Sequence, residues 1–283
     1  MREDEPVREG VRSIRHRYGM ALGCLAVAFV AVASLAAPAD ATPTVIARGK
    51  AVPIPGYPET GNIYGAGAAV LAEYQITGNE YEGSPPPLAG INVYLPKGTT
   101  LHPAGFKTCP PSVLEPAGAG PSDCPPASRA GPPGEVHGFV TLGGERVKEA
   151  ATVESFFAPG GGLEFFTAGH SPVSLEVLSS GRILNPRGAA GFGPKFETQI
   201  PLVASVPGAP YASVESIKVQ VGSAYGPRSP KKATYYGRVP KKGQCPKGGF
   251  RAKTEVIFAA VGGLPLQTVT KEIRAPCPRR SVR

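Results

Sequence analysis

Hydrophobic and polar residues alternate in short stretches along most of the chain. In residues 214–221, Ile217, Val219 and Val221 would lie on one side of an extended backbone, and the polar residues between them on the other. A period of two residues is typical of a strand with one buried face. Glycine and proline separate the stretches, and no amphipathic helical pattern exceeds two turns. The pattern therefore predicts about ten to twelve β-strands.

The longest series of these stretches is residues 136–184. It is interrupted at Gly143-Gly144 and at residues 159–162, where glycines allow the positive φ angles of tight reversals. Strands joined by such short turns form an antiparallel meander. We therefore predict an all-β fold, an antiparallel β-sandwich of immunoglobulin-like or jelly-roll-like type, in a single domain over residues 42–283.

Three phrases carry a resemblance that covers most of this region. They are FFAPGGGLEFFTAGHSPVSLE at 156–176, INVYLPKGTTLHPAGF at 91–106 and CPKGGFRAKTEVIFA at 245–259. In these phrases the chain resembles an uncharacterised family of exported β-rich proteins from high-GC Gram-positive bacteria. The resemblance implies one continuous extracytoplasmic unit, and it implies no activity and no catalytic residues.

The first 41 residues have the composition of an export signal. Three arginines at 12–17 precede the uncharged apolar segment 20–37, and Ala-Asp-Ala at 39–41 has the form that signal peptidase accepts. We expect cleavage after Ala41. The apolar segment is also close to the length that spans a bilayer, so the alternative is an uncleaved anchor. Either outcome predicts a secreted or envelope-associated protein with no further membrane contact.

Basic residues are concentrated near the C-terminus. Residues 42–225 hold 11 basic and 14 acidic residues, whereas residues 226–283 hold 14 basic and 2 acidic residues, a net charge of +12. This segment predicts contact with an anionic cell-wall polymer or polysaccharide. Nucleic acid is not predicted, because the chain is exported and carries no nucleic-acid-binding motif.

The candidate contact residues lie in this basic C-terminal section. They are Lys231, Lys232, Tyr235, Tyr236, Lys241, Lys242 and Lys247. The alternative interpretation is that the lysines are solvated charges that keep a β protein soluble and discourage pairing of sheet edges.

Four cysteines follow the export signal: Cys109, Cys124, Cys245 and Cys277. An even number of cysteines in an oxidising compartment predicts disulfide bonds. Three pairings are possible, and proximity in sequence favours Cys109 with Cys124 and Cys245 with Cys277. A zinc site is the alternative, but none of the spacings matches a zinc-binding motif. We predict no metal and no other cofactor.

Several residues are candidate catalytic or metal-binding groups. Ser171 follows Gly169-His170 as in part of a hydrolase nucleophile motif, but Pro172 is incompatible with the sharp turn that the motif needs. His102, His137 and His170 have no metal-ligand spacing. We therefore predict that these residues have structural roles and are neither catalytic nor metal-binding.

Paired carboxylates are the remaining route to catalysis, since glycosidases use two of them on opposite sides of a bond. Glu149, Glu154, Glu164 and Glu176 lie in the meander, but their spacing is also that of an outward sheet face. We therefore predict a non-enzymatic binding or structural module, and the alternative is an extracellular polysaccharide hydrolase that uses these glutamates.

Overall fold

A computed structural model describes residues 42–57, 63–115, 118–185, 187–188, 191–228 and 232–278. The predicted export signal, residues 1–41, lies outside the described residues. Residues from 42 onward form one compact unit.

Eleven strands form one antiparallel sheet in the spatial order β1-β2-β10-β5-β6-β7-β8-β9-β3-β14-β15. Their bounds are β1 Thr44–Val52, β2 Ala69–Thr77, β3 Leu88–Tyr94, β5 Gly134–Leu142, β6 Glu145–Phe157, β7 Leu163–Ser171, β8 Leu175–Leu184, β9 Lys195–Gln199, β10 Ser213–Val221, β14 Phe250–Phe258 and β15 Gln267–Ala275. The all-β prediction and the predicted number of strands are confirmed.

Four two-residue strands make two small additional sheets, in which β11 pairs with β12 and β13 pairs with β4. These strands are β4 Thr100–Leu101, β11 Ala224–Tyr225, β12 Thr234–Tyr235 and β13 Gly237–Arg238. One short helix, α1, spans Pro111–Leu114, and single 3-10 turns span Pro121–Asp123, Pro126–Ser128 and Pro159–Gly161.

The predicted meander is present as β5 to β8, where each strand pairs with the next. Strand β10, which has the most regular alternation, lies between β2 and β5. Long-range pairing therefore joins the meander to the first strands of the chain. The sequence predicted the order of the strands within the meander, but it did not predict how the other strands are placed in the sheet.

The sheet curls so that two of its walls face each other, as the layers of a sandwich do. The largest core cluster joins β1 and β2 on one wall to β3 and β14 on the other. Its buried members are Val45, Tyr74, Ile76, Leu88, Ile91, Val256 and Phe258. The Tyr74 hydroxyl crosses this core to the Thr254 hydroxyl at 3.1 Å. The facing walls agree with the predicted sandwich class, although here one continuous sheet supplies both.

The two edge strands, β1 and β15, pack side by side. An added Cβ at Gly49 in β1 would lie 3.7 Å from Ile273 Cδ1 in β15. Every neighbouring pair in the sheet is antiparallel, so the odd number of strands makes β1 and β15 run in the same direction. Within the described residues no hydrogen-bonded ladder joins β1 to β15. The sheet is therefore nearly closed but keeps two edge strands.

The two ends of the curled sheet are covered by different loops. At one end, residues 101–106 and Tyr236 reach between the walls and pack on Phe157 and Leu163. At the other end, residues 200–212 cross the sheet between β9 and β10. The sequence of residues 196–203 predicts a strand that Pro201 disturbs, and in the structure β9 ends at Gln199, two residues before this proline.

Two disulfides are present, with the pairings favoured by sequence proximity. Cys109–Cys124 closes a loop that contains α1 and packs on the outer face of the meander. Its cluster includes Leu114, Phe156 and Phe166. Cys245–Cys277 joins the segment before β14 to the segment after β15.

Candidate functional site: a cationic end of the sheet

Two consecutive turns display three of the predicted lysines. In the first turn, the Gln244 side chain accepts a hydrogen bond of 2.8 Å from the Lys241 backbone N–H, and Gly243 has a φ of 89°. In the second, the Gly249 N–H donates to the Pro246 carbonyl at 3.0 Å. Lys241, Lys242 and Lys247 are exposed on these turns.

The turns are held in place by neighbours from three other segments. The Cys245–Cys277 disulfide lies between them and ties them to the end of β15. Gln244 packs on the Lys97-Gly98 turn, because an added Cβ at Gly98 would lie 2.7 Å from Gln244 Oε1. On the other side, the Arg274 guanidinium lies 3.5 Å from the position of a Cβ on Gly248. Lys97 and Arg274 therefore join the same surface.

We call this surface the cationic end, defined as Lys97, Lys241, Lys242, Lys247 and Arg274. All five side chains are exposed, and among the described residues none forms an ion pair. Three cations on turns fixed by a disulfide, together with Lys97 and Arg274 beside them, create a positive potential at the surface.

The cations on the adjacent sheet face differ, because they are neutralised. Lys253 donates to Glu255 at 2.7 Å, and the hydrogen bond to this carboxylate raises the pKa of Lys253. Lys195 and Arg182 donate to Glu197, and these hydrogen bonds lower the pKa of Glu197. The paired face contributes little net charge, so the positive potential arises mainly from the turns.

The remaining predicted contact residues are placed differently. Lys232 is exposed on a separate loop before β12, and Lys231 lies outside the described residues. Tyr235 and Tyr236 are only 1% and 4% exposed. Their rings pack in the interior, so the expectation that they contact a surface ligand is wrong. Hydrophobic packing outweighed the surface position that the neighbouring lysines suggested.

Tyr236 has a buried hydroxyl for which no hydrogen-bond partner is present among the described residues. Burial raises the pKa of this hydroxyl well above its ordinary value. The ring packs at 4.9 Å from the Phe157 ring, measured between centroids. Tyr236 therefore acts as a core residue with an uncompensated polar atom.

The four glutamates considered for catalysis do not share a groove. Glu149 is inward-facing, and its two oxygens accept backbone hydrogen bonds from Ser171 at 3.1 Å and Val173 at 3.0 Å. Glu154 faces outward and pairs with Arg129. Glu176 is exposed. Glu149 and Glu154 are therefore held by partners within the fold, and Glu176 faces solvent.

Glu164 is 4% exposed and lies on the outer face of β7, opposite Phe156 of the cluster beneath the Cys109–Cys124 loop. Burial raises the pKa of its carboxyl, while a 2.6 Å hydrogen bond from Ser180 opposes that shift. At 4% exposure, this carboxyl has no open access to substrate.

The three histidines do not form a shared metal site within the described part of the chain. His102, His137 and His170 are all exposed, and His170 Nε2 lies 3.2 Å from the Thr152 hydroxyl. Within the described residues, no group of three or more histidine, cysteine or acidic side chains is arranged to hold a metal ion. Ser171 ends β7, where its backbone N–H binds Glu149.

A shallow groove on the outer face of β1, β2, β10 and β5 was not predicted from the sequence. It has a volume of about 270 Å³, and one row across it alternates in charge. Glu73 and Glu135 both pair in register with Lys218 in β10. The signal for it lay in strand order, which short-range patterns do not contain. Its mixed charges favour solvation over selection of one ligand charge.

Among the described residues, none of the helices has the length and apolar character needed to cross a membrane. Comparisons of the chain with protein-family models, curated proteins and solved structures gave no match. The proposals below therefore depend on the geometry and chemistry of this molecule alone.

Proposed function

We propose that this protein is an exported, non-enzymatic module that binds anionic polymers of the cell envelope through its cationic end. The observation that carries the proposal is the cluster of five exposed cations that have no ion-pair partner among the described residues, three of them on two disulfide-anchored turns. If the lysines served only as solvated surface charges, their turns would not need to be fixed by neighbouring segments on both sides. The rigid backbone lowers the entropy that a flexible basic segment would lose on binding.

The shape of the surface favours a polymer over a small anion. The lysines project from turns and are not directed into an enclosed pocket, so each can neutralise a different charge along an extended chain. Weak contacts of this kind add through multivalency. Phosphodiester polymers and polyuronates share the required chemistry, which is a regular row of negative charges.

An extracytoplasmic location is part of the proposal. Its support is the pair of disulfides, which form and persist in oxidising compartments, together with the leader-like composition of residues 1–41.

The test compares retention of purified protein on immobilised polyphosphate and on immobilised polygalacturonate as salt is raised. Replacing Lys241 and Lys242 by glutamine should lower affinity by roughly 10- to 30-fold, since each lysine near an anionic surface contributes about 1 kcal/mol. Retention should also fall with ionic strength.

The matched control replaces Lys148 and Lys218 by glutamine, which removes the same charge from exposed strand positions outside the two turns. Its affinity should stay within about twofold of the wild type. Equal loss in the two variants would show that only net charge matters, and no loss in either would overturn the proposal. The two polymers distinguish phosphate from carboxylate selectivity.

A further inference from the structure

The end of the sheet opposite the cationic end has a cavity in its interior. The cavity has a volume of about 130 Å³ and is lined mainly by apolar side chains from β5, β6, β7, β8 and β10. Inward-facing Val136, Leu175, Val177 and Val214 remain partly accessible there. At the cationic end, by contrast, Phe157 and Leu163 are each only 2% exposed, because inserted loops fill the interior.

The number of strands explains why space remains. A closed sheet of about eight strands leaves an interior that its own side chains can fill. Closed sheets with more strands have a wider interior, which is either filled by inserted loops or left as a cavity. This sheet has eleven strands. At the cavity, small inward residues also face one another across the ladders, since Ala151 in β6 pairs in register with Gly169 in β7.

The single carboxylate in the cavity wall, Glu149, is already committed to the backbone. It holds the turn between β7 and β8 through two amide hydrogen bonds. An added Cβ at Gly169 would lie 2.8 Å from Glu149 Oε1, so the glycine makes room for this contact. The remaining wall is apolar except for small hydroxyls such as Thr167 and Ser179. The cavity therefore suits a hydrocarbon group better than a charged one.

Residues 200–212 cover the mouth of the cavity, and we call this segment the flap. Residues 200–203 line the cavity, and a bridge between Ala204 and Tyr211 folds the flap on itself. Arg146 donates to the Tyr211 carbonyl at 3.0 Å, and the Tyr211 N–H donates to the Tyr81 hydroxyl at 2.9 Å. These contacts attach the flap at its C-terminal side.

The outer side of the flap is apolar as well. Leu202 lines the cavity and is 36% exposed, and Val206 at the tip is 57% exposed. Leu142 at the end of β5 is 49% exposed and lies next to Thr141, whose carbonyl accepts from Ser205 in the flap. Apolar surface therefore continues from the cavity to the outside of the molecule.

We infer that this cavity binds the hydrocarbon end of a small amphiphile of the acyl-chain class. The cavity binds the terminal part of the acyl chain. The part nearest the polar headgroup packs on the rim formed by Leu202, Val206 and Leu142. A dry apolar cavity of similar volume is large enough for a benzene-sized hydrocarbon. The polar headgroup stays in water, because the one carboxylate that lines the cavity among the described residues, Glu149, is hydrogen-bonded to the backbone.

The test is a titration of the full-length protein with decanol, in which calorimetry measures the binding. Ala151→Phe places a ring in the cavity and should weaken decanol binding by more than tenfold. Ala150→Phe is the matched control, because Ala150 is the neighbouring residue on β6 and is exposed. This control should keep its affinity within twofold. Equal affinities in the two variants would overturn the inference.

A second measurement uses the wild-type chain, in case Ala151→Phe does not fold. Decanol is added to protein with ¹³C-labelled leucine and valine methyl groups. Binding in the cavity should shift the signals of Leu175 and Val177, which line it. Shifts confined to Leu142 and Val206 would show adsorption to the outer surface and would reject the cavity as the site. Because decanol is uncharged, neither result depends on the cationic end.

Discussion

Single residues show how the same residue type takes opposite roles in this fold. Tyr74 and Tyr236 are 5% and 4% exposed, yet only Tyr74 has a hydroxyl partner, Thr254. A buried polar group without a partner costs free energy, whereas a satisfied one contributes a little. Sequence position gave no hint of this difference, because both tyrosines lie in short alternating stretches.

Replacing Tyr236 by phenylalanine should therefore raise the free energy of unfolding, by up to about 1 kcal/mol, or leave it unchanged. Replacing Tyr74 by phenylalanine should lower it by about 1 kcal/mol and leave Thr254 without this contact. Urea unfolding of the two variants measures both. A loss of stability in the Tyr236 variant equal to that of the Tyr74 variant would show that its hydroxyl has a partner.

Glu164 makes stability depend on pH in an unusual direction. Its pKa is raised in the folded state by burial, so the folded protein binds the proton more tightly than the unfolded chain. Stability linked to this group is greatest below the ordinary glutamate pKa. It falls as pH rises through the raised folded value.

The substitution Glu164→Gln should remove this dependence and stabilise the protein at neutral pH relative to the wild type. The amide can still accept the Ser180 hydrogen bond. Thermal unfolding at a series of pH values from 4 to 8 checks this, with Glu176→Gln as the exposed control. Parallel curves for wild type and Glu164→Gln would contradict the assignment.

Among the elements, strands with regular alternation were predicted well and short ones were not. Residues 214–221 correspond closely to β10, Ser213–Val221, although a register shift between Val214 and Ser216 interrupts the regular pairing with β5. The sequence of residues 233–239 predicts a single strand, but these residues form the two short strands β12 and β13, which pair with β11 and β4. Tyr236 lies between them and turns into the core, an effect of tertiary packing that local patterns do not contain.

The sequence predicted only the part of the cationic end that depends on local turns. Lys241, Lys242 and Lys247 stand beside glycines in turn-forming sequence, so their exposure followed from local chemistry. Lys97 and Arg274 join them through contacts between distant segments. The cavity was not predicted at all, because it depends on strand order and on how far the sheet curls.

The flap depends on one side chain of the β5–β6 hairpin. Arg146 donates to Ser84 at 2.7 Å, to Ser213 at 2.6 Å and to the Tyr211 carbonyl at 3.0 Å. Burial lowers the pKa of this guanidinium, which nevertheless stays charged throughout the physiological range. The charged hydrogen bonds join three segments at one end of the sheet.

The substitution Arg146→Met keeps the aliphatic stem but removes all of these donors. It should lower the free energy of unfolding by about 1.5–3 kcal/mol. Hydrogen exchange should accelerate most at the Ala212 amide, which donates to the Val203 carbonyl within the flap. Arg187→Met is the exposed control. Uniform acceleration over the whole sheet would show that Arg146 acts on global stability and not on the flap.

At the scale of the whole molecule, the two proposed sites lie at opposite ends of the same strands. Strand β10 begins beside the cavity at Val214 and ends at Val221, which packs among the loops that fill the opposite end. The extended chain from Val214 to Val221 separates these ends by about 23 Å. This distance is well beyond the screening length of roughly 8 Å at physiological salt.

The two sites should therefore act independently. Lys241→Gln with Lys242→Gln should leave decanol affinity within twofold, and Ala151→Phe should leave polymer retention within twofold. Raising salt should weaken polymer retention alone. Calorimetry and retention measured on the same samples check this, and a change of more than fivefold at the distant site would show coupling through the sheet.

The parallel orientation of β1 and β15 has a mechanical consequence. The chain enters β1 at the flap side and leaves β15 at the cationic end, so a pull on both ends acts along the strands. All nine residue pairs between β1 and β2 then resist the load together in shear, and none can be unzipped in turn. A protein stretched between a tether and a wall polymer would carry tension through its most force-resistant direction.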